Sequence, residues 1–395
     1  NMGLQKMLAL SPFVAGAVLM NAVLNINPVD GLAVTTGGKA YSAFDLLAAD
    51  QYSAQSRRSE EERLLLYPDG NSLVELEEPV FDKKKSRGTK EASSSAGFGG
   101  GADKRWSKSK ALAQDQKQCL LDTGVVRING ALSAETCAAL REHVLEEVES
   151  TAALYQEALA GATNVNFNVE DYYGIEPGRT CRTDLLLSMT APPVTTALQQ
   201  LFHAKTGKLR ALYESLVTTD GTFYELASVV TSTGSDRQCI HPDVPFQSTA
   251  PLYVIFLALQ DVTQAMGPTT FLSGSHTQAA NRAFDNKGDE FDSLLSNAQP
   301  VESCLSTGDL VVFDARVLHC GNANLDENQQ RALFNFSFRD PSVVGDMGYK
   351  GSMRPGYSRQ QITLGGFLTA VDSTKKKTGA AAAFAQFGNG WGMPQ

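Results

Sequence analysis

The stretch Ile240-His241-Pro242-Asp243 sets an imidazole and a carboxylate two residues apart. In extended backbone, side chains at i and i+2 point to the same side, so His241 and Asp243 can grip one cation. Alone, so short a motif arises easily by chance. It gains weight from the order of the segments downstream. These are the apolar run Pro251–Val262, the turn-rich Gly267-Pro268 and Gly274-Ser275-His276, then Gly308-Asp309-Leu310-Val311-Val312-Phe313 leading to His319-Cys320-Gly321-Asn322. A strand, a turn, a strand and a second histidine are how a β-roll returns a distant ligand to the first two.

Two histidines and one carboxylate cover one face of an iron(II) ion and leave three positions open. Those positions suit a chelating 2-oxo acid and dioxygen. Arg331 begins Arg331-Ala332-Leu333-Phe334-Asn335-Phe336-Ser337-Phe338, an alternating strand. Phe334, Phe336 and Phe338 share one face; Arg331, Leu333, Asn335 and Ser337 share the other. If the second face lines the roll, Arg331 is a buried guanidinium that needs a partner, and a bidentate carboxylate fits best. The distal carboxylate of 2-oxoglutarate is one such partner; an internal acid is the alternative.

These residues need a frame to hold them. Gly124–Ile128 reads as a short strand, followed by a helix capped by Ser133 with Cys137, Leu140, Val144, Leu145 and Val148 on its apolar face. A second helical stretch covers 194–216. Strands follow at Phe223–Ser232, Leu252–Leu259, Thr270–Phe271, Asp309–Phe313 and Ala332–Phe338. Helices first and antiparallel strands afterwards predict an α+β fold, a double-stranded β-helix (jelly-roll, cupin-like) core flanked by N-terminal helices.

Composition narrows the function. The 395 residues are 42% hydrophobic and 19% charged, ordinary values for a globular protein, with a formal net charge of −9. That charge argues against a nucleic-acid partner. Six cysteines without a C-x-x-C pair point to neither a disulfide framework nor a structural zinc site. Cys239 and Cys320, beside the proposed ligands, are expected to be packing residues.

Residues 1–44 read as a targeting leader to the secretory pathway or an organelle. An apolar run from Met7 to Leu24 precedes the small-x-small site Gly31-Leu32-Ala33. The Ala40–Phe44 segment resembles a plastid-leader junction, although the acids after it are untypical. The run is short for a membrane span, so none is expected in the mature protein. Residues 45–118, with a short helix around Glu60–Leu66, read as low-complexity linker, 119–370 as the ordered domain and 371–395 as a flexible tail.

From Tyr224 to Phe338 the sequence resembles the phytanoyl-CoA dioxygenase family of Fe(II)/2-oxoglutarate-dependent oxygenases. The residues that carry the likeness are His241-x-Asp243, Asp261-Val262-Thr263 with Gly267-Pro268 and Gly274-Ser275-His276, Gly308-Asp309 with His319, and Arg331. The resemblance implies that His241, Asp243 and His319 ligate iron, that Arg331 binds 2-oxoglutarate and that Phe256 lines the co-substrate pocket. It implies Fe(II), 2-oxoglutarate and O2, with ascorbate as an optional reductant. His276 is not a ligand but fixes its turn or faces the site mouth. Gln238 either reaches the open face or serves its loop, and Arg182 either contacts an anionic substrate or pairs with an acid on the surface.

The implied reaction oxidises, and most simply hydroxylates, a C–H bond of a small molecule (a lipid, acyl thioester, pigment or other metabolite) with release of succinate and CO2. Halogenation is disfavoured because Asp243 fills the position a halide would need. A catalytically inactive β-roll scaffold, or a cupin-like roll using another metal for a non-oxidative reaction, stays open on sequence. Selectivity is expected in the stretches 160–190, 277–300 and 340–366, and oligomeric state is not legible.

Overall fold

Two four-residue strands, β1 (Ala33–Thr36) and β2 (Lys39–Ser42), pair antiparallel. They belong to one unit, residues 1–68; the helices and sheets of residues 100–390 belong to a second. The computed structural model describes residues 33–36, 39–42, 100–159, 173–175, 181–345, 347–349, 351–373 and 384–390. The leader expected over 1–44 lies outside them apart from this hairpin, as does the helix expected at Glu60–Leu66.

The polar stretch expected to be linker ends in a helix, α1 (Gly100–Thr123). Among its described side chains, Ala113, Gln116 and Leu120, spaced i, i+3, i+7, form the buried face. So few apolar residues leave almost no periodic signal, and the contact that orders the helix comes from the rest of the domain. At Gly124 the chain turns with φ +79°, where a Cβ would run into Val317 and His276. That turn feeds β3 (Val125–Ile128).

Next comes α2 (Ala134–Leu159), where the Ser133 hydroxyl accepts from the Thr136 amide and Cys137, Leu140 and Val144 are buried as the spacing predicts. Strands β4 (Tyr173–Ile175) and β5 (Arg182–Leu186) lie where a substrate loop was expected. The single helical stretch expected over 194–216 is two helices, α3 (Pro192–Phe202) and α4 (Arg210–Leu216). Between them the Gly207 amide donates to the His203 carbonyl in a turn with no room for a side chain.

The sheets are built from β6 (Thr222–Thr231), β7 (Leu252–Ala258), β8 (Thr269–Leu272), β9 (Pro300–Glu302), β10 (Leu310–Asp314), β11 (His319–Gly321) and β12 (Arg331–Arg339). Between β8 and β9 the expected loop folds as α5 (Gln278–Asn286) and α6 (Gly288–Asn297), and the chain closes through α7 (Pro355–Gln360) and α8 (Leu364–Ser373). One sheet has seven strands in the order β3-β10-β7-β12-β6-β5-β4, the other three in the order β11-β8-β9, all antiparallel.

β12 runs through the middle of the large sheet and divides the interior. Phe334, Phe336 and Phe338 face the helices: Phe202 of α3 lies 5.8 Å from Phe336, and Tyr213 of α4 lies 5.3 Å from Phe338, ring centre to ring centre. Each such ring, fully buried, contributes roughly 1.5–3 kcal/mol through the apolar surface it removes from water. Phe384 joins this core against Phe367 of α8, so part of the segment expected to be a tail is packed. On the opposite face Leu333 joins a second apolar cluster with Val254, Val311, Phe313 and Phe271. Among the described residues no helix is long and apolar enough to cross a membrane.

Candidate active site

The inward face of the large sheet and the strand β11 enclose a cavity of about 440 Å³, within the range of small-ligand sites. His241, Asp243 and His319 meet in its wall. An isolated bridge pairs His241 with His319: each backbone amide donates to the other's carbonyl at 2.9 Å. The loop carrying His241-Pro242-Asp243 is thereby stitched onto β11, and the Asp243 amide donates to the Ala315 carbonyl. Two ligands far apart in sequence are thus fixed by backbone rather than by side-chain contacts alone.

The side chains fit a cation. One donor atom from each of the three lies within 4.8 Å of the others. Ligand atoms each about 2.2 Å from a shared ion and on one face of it lie about 3 Å apart, so the trio closes onto an ion when the side chains move inward. The Nδ1 atoms of His241 and His319 face the Cys239 and Val317 carbonyls at 2.7 and 3.0 Å. A carbonyl only accepts, so Nδ1 carries the proton and a neutral ring keeps its lone pair on Nε2. Both Nε2 atoms turn toward Asp243, at 3.9 and 3.4 Å from its Oδ1.

Phe271 and Phe313 pack around the His319 ring, which limits its movement. Burial pushes the Asp243 carboxyl up, but the two histidines outweigh it and hold the group below its ordinary value. Burial pushes the His319 imidazole down, and Asp243 more than reverses that.

Arg331 lines the same cavity, 2% exposed. Its Nη2 donates to Thr231 Oγ1 at 3.2 Å, while Nε and Nη1 find no acceptor among the described residues. Burial, with the charge of neighbouring Arg182, pushes the guanidinium down to about 9, still cationic at neutral pH. The sheet register explains the neighbour: Arg182 of β5 and Arg331 of β12 both pair with Thr231 of β6, one from each side. Arg182 is buried in the cavity wall rather than lying on the surface.

The remaining predicted residues divide. Phe256 lines the cavity and stacks edge-on against Phe313 at 5.0 Å. Gln238 lines it too, but its Oε1 accepts from the Gly321 amide at 2.8 Å, so its side chain holds β11 in place. His276 hydrogen-bonds through Nε2 to the Leu121 carbonyl at the end of α1 and fixes its turn. Asn322 donates to the Pro268 carbonyl and Thr270, tying the second histidine's strand to the Gly267-Pro268 turn. Cys320 is buried and Cys239 half-buried, in keeping with packing roles.

Sequence reasoning missed a polar wall. Glu225 of β6 is 6% exposed and accepts from Tyr349 Oη at 2.9 Å; Asp184 of β5 accepts from Ser352; Tyr349 Oη and Ser352 Oγ lie 2.7 Å apart. Burial first, then the charge of Asp243, pushes the Glu225 carboxyl up to about 7. A signal existed: Glu225 is the one acidic residue in Thr222–Thr231 and shares the face of Val229 and Thr231. Tyr349 and Ser352 come from a loop without motif.

The family model for phytanoyl-CoA dioxygenase (PhyH) matches residues 120–332, and the chain belongs to that family of 2-oxoglutarate-dependent oxidoreductases, whose chemistry uses iron and 2-oxoglutarate. Among solved structures it resembles the non-heme alpha ketoglutarate dependent epimerase SnoN from nogalamycin biosynthesis, at 18% identity and TM-score 0.40 over 62% of this chain and 95% of that one. It also resembles the carbocyclase SnoK from nogalamycin biosynthesis, at 16% identity and TM-score 0.40 over 59% and 85%. A third is HygX from Streptomyces hygroscopicus with nickel, 2-oxoglutarate and hygromycin B bound, at 14% identity and TM-score 0.40 over 61% and 96%. No curated protein matches the chain.

Proposed function

We propose that this protein is an iron(II)- and 2-oxoglutarate-dependent dioxygenase that hydroxylates a C–H bond of a small organic metabolite, with its two sheets forming a double-stranded β-helix. The observation that carries the reading is the juxtaposition in one cavity of a metal-competent trio and a buried guanidinium two of whose nitrogens find no acceptor among the described residues. Leaving such donors unpaired costs about 1–3 kcal/mol or more. A dicarboxylate whose other end chelates the metal satisfies them.

In this reading His241, Asp243 and His319 hold iron, and Arg331 takes the distal carboxylate of 2-oxoglutarate. Phe256 packs against the co-substrate and Gln238 keeps β11 and its histidine in register. Bound iron(II) supplies reduction of O2 coupled to oxidative decarboxylation of the 2-oxo acid to succinate and CO2. The protein's own part is positional. The Nδ1–carbonyl bonds aim both imidazoles, Asp243 fills the position a halide would need, and the apolar lining of Phe256, Val254 and Leu333 excludes water from the reacting carbon.

The test is succinate formation from 2-oxoglutarate by the iron-loaded protein in air, compared with His319→Ala. Removing a ligand is expected to exceed the roughly 10–100-fold loss typical of second-layer metal residues. Equal succinate yield from the variant contradicts the assignment, and none from well-folded, iron-loaded wild-type protein favours a non-oxidative roll.

A further inference from the structure

Another buried charge pair lies in the turn before His319. Asp314 is the last residue of β10 and Arg316 follows it by two; they are 2% and 8% exposed, and neither lines the cavity. The two side chains meet as a fork: Arg316 Nε lies 2.9 Å from Asp314 Oδ1 and Nη2 lies 2.6 Å from Oδ2. The Phe246 ring centre lies 5.5 Å from the guanidinium carbon.

Arg316 also reaches beyond its acid. Its Nη1 donates to the carbonyls of Gln247 and Ser248 at 2.5 and 3.3 Å. Those carbonyls end the segment that Asp243 begins. At the start of that segment the amides of Asp243 and Val244 donate to the Ala315 carbonyl at 2.9 and 3.4 Å. Residues 243–248 are therefore fastened at both ends to Ala315 and Arg316. The turn is anchored in its own right: Asn281 of α5 donates to the Arg316 carbonyl at 3.1 Å, and Ser275 Oγ accepts from the Leu318 amide at 2.8 Å.

Stability alone is a poor reason for such a pair. Desolvating two charges offsets much of their attraction, and an apolar pair of similar volume is often as stable. An apolar pair, however, cannot donate to carbonyls in the segment that carries Asp243. With iron held by His241, Asp243 and His319, as the proposed function has it, we propose that Arg316 is a positioning residue. Held in place by Asp314, it fixes Asp243 relative to His319 and so sets the affinity of the site for its metal. Without the guanidinium, residues 243–248 keep their first anchor and lose their last. The backbone bridge between His241 and His319 does not involve Arg316, so the effect falls on the carboxylate.

The experiment measures Mn(II) affinity of the full chain from the loss of the free-ion EPR signal, with the unfolding midpoint recorded for each protein. The variant combines Asp314→Asn with Arg316→Met, which removes both charges together and keeps an Oδ1 acceptor for the Arg316 amide. The expected result, where the variant is folded, is Mn(II) binding at least about tenfold weaker than in wild-type protein. In an Asp243→Ala background the same two changes are expected to cost less than about twofold further, because the residue they act through is gone. Should the double variant not fold, Arg316→Lys, which leaves Asp314 paired, carries the same comparison. Unchanged Mn(II) affinity in folded variant protein overturns the proposal, whatever the unfolding midpoint does. An equal loss with and without Asp243 overturns it too. Wild-type protein that takes up no Mn(II) overturns the metal reading itself, and the positioning role with it.

Discussion

The two faces of β12 are made of alternate residues of one strand, yet they obey different rules. Toward the helices, Phe334, Phe336 and Phe338 are fully buried among other rings. Toward the cavity, Arg331 and Asn335 are almost as buried but retain polar atoms without partners among the described residues. Folding alone explains the first face, because every group there gains by leaving water. It does not explain the second, where burial of polar groups costs free energy that a bound ligand would recover. A period of two residues lets a single strand carry both the stability of the domain and its chemistry.

The two faces can be perturbed separately. The largest effect is expected from Phe336→Ala, which opens a cavity in the aromatic cluster and costs about 3–5 kcal/mol of stability, read by chemical denaturation. At temperatures where the variant stays folded, its affinity for 2-oxoglutarate should be unchanged. A large loss of 2-oxoglutarate affinity in well-folded protein would show that the faces are coupled.

Arg331→Ala should do the reverse. Loss of a charge-assisted, bidentate contact weakens 2-oxoglutarate binding by about 2–4 kcal/mol, or roughly 30–1,000-fold, while the unfolding midpoint holds or rises. A collapse in stability with unchanged 2-oxo acid affinity would make Arg331 structural.

A smaller effect of opposite sign is expected from Asn335→Leu. Replacing a buried acceptor that has no partner with an apolar group of similar volume is near neutral or stabilising by about 0.5–1 kcal/mol. Destabilisation beyond that would mean Asn335 is satisfied within the protein.

The least perturbing test concerns Cys137, on the helix-covered side. Burial, and secondarily Asp309, push its thiol up to about 11, so at pH 8 almost none is thiolate. Iodoacetamide at pH 8 should label the exposed Cys304 while Cys137 stays unmodified until the protein unfolds.

Legibility in the sequence divides along the same line. The alternation of Arg331–Phe338 assigned both faces of β12, and the spacing from His241 to Arg331 located the metal-competent trio, because local periodicity and motif order are written in the chain. Ser133 announced its helix because a cap is a local hydrogen bond. The helix Gly100–Thr123 was hidden, since the buried residues among its described side chains, Ala113, Gln116 and Leu120, give too little pattern against a polar background. The choice for Arg182 between a substrate contact and a surface pair was not legible, because a five-residue strand owes its burial to β6 beside it. Glu225, Tyr349 and Ser352 meet only through tertiary structure, so their wall could not be read along the chain.

Iron at His241, Asp243 and His319, with 2-oxoglutarate bridging that iron and Arg331, is the assignment on which the proposed chemistry stands. An anaerobic titration of the metal-free protein with Fe(II) and then 2-oxoglutarate, followed by visible absorption, probes the trio and Arg331 together. The expected result is a metal-to-ligand charge-transfer band that saturates at one equivalent of iron, is absent in His319→Ala, and needs far more 2-oxoglutarate in Arg331→Ala. Folded, iron-binding protein that develops no band, or a band indifferent to both substitutions, would contradict the assignment.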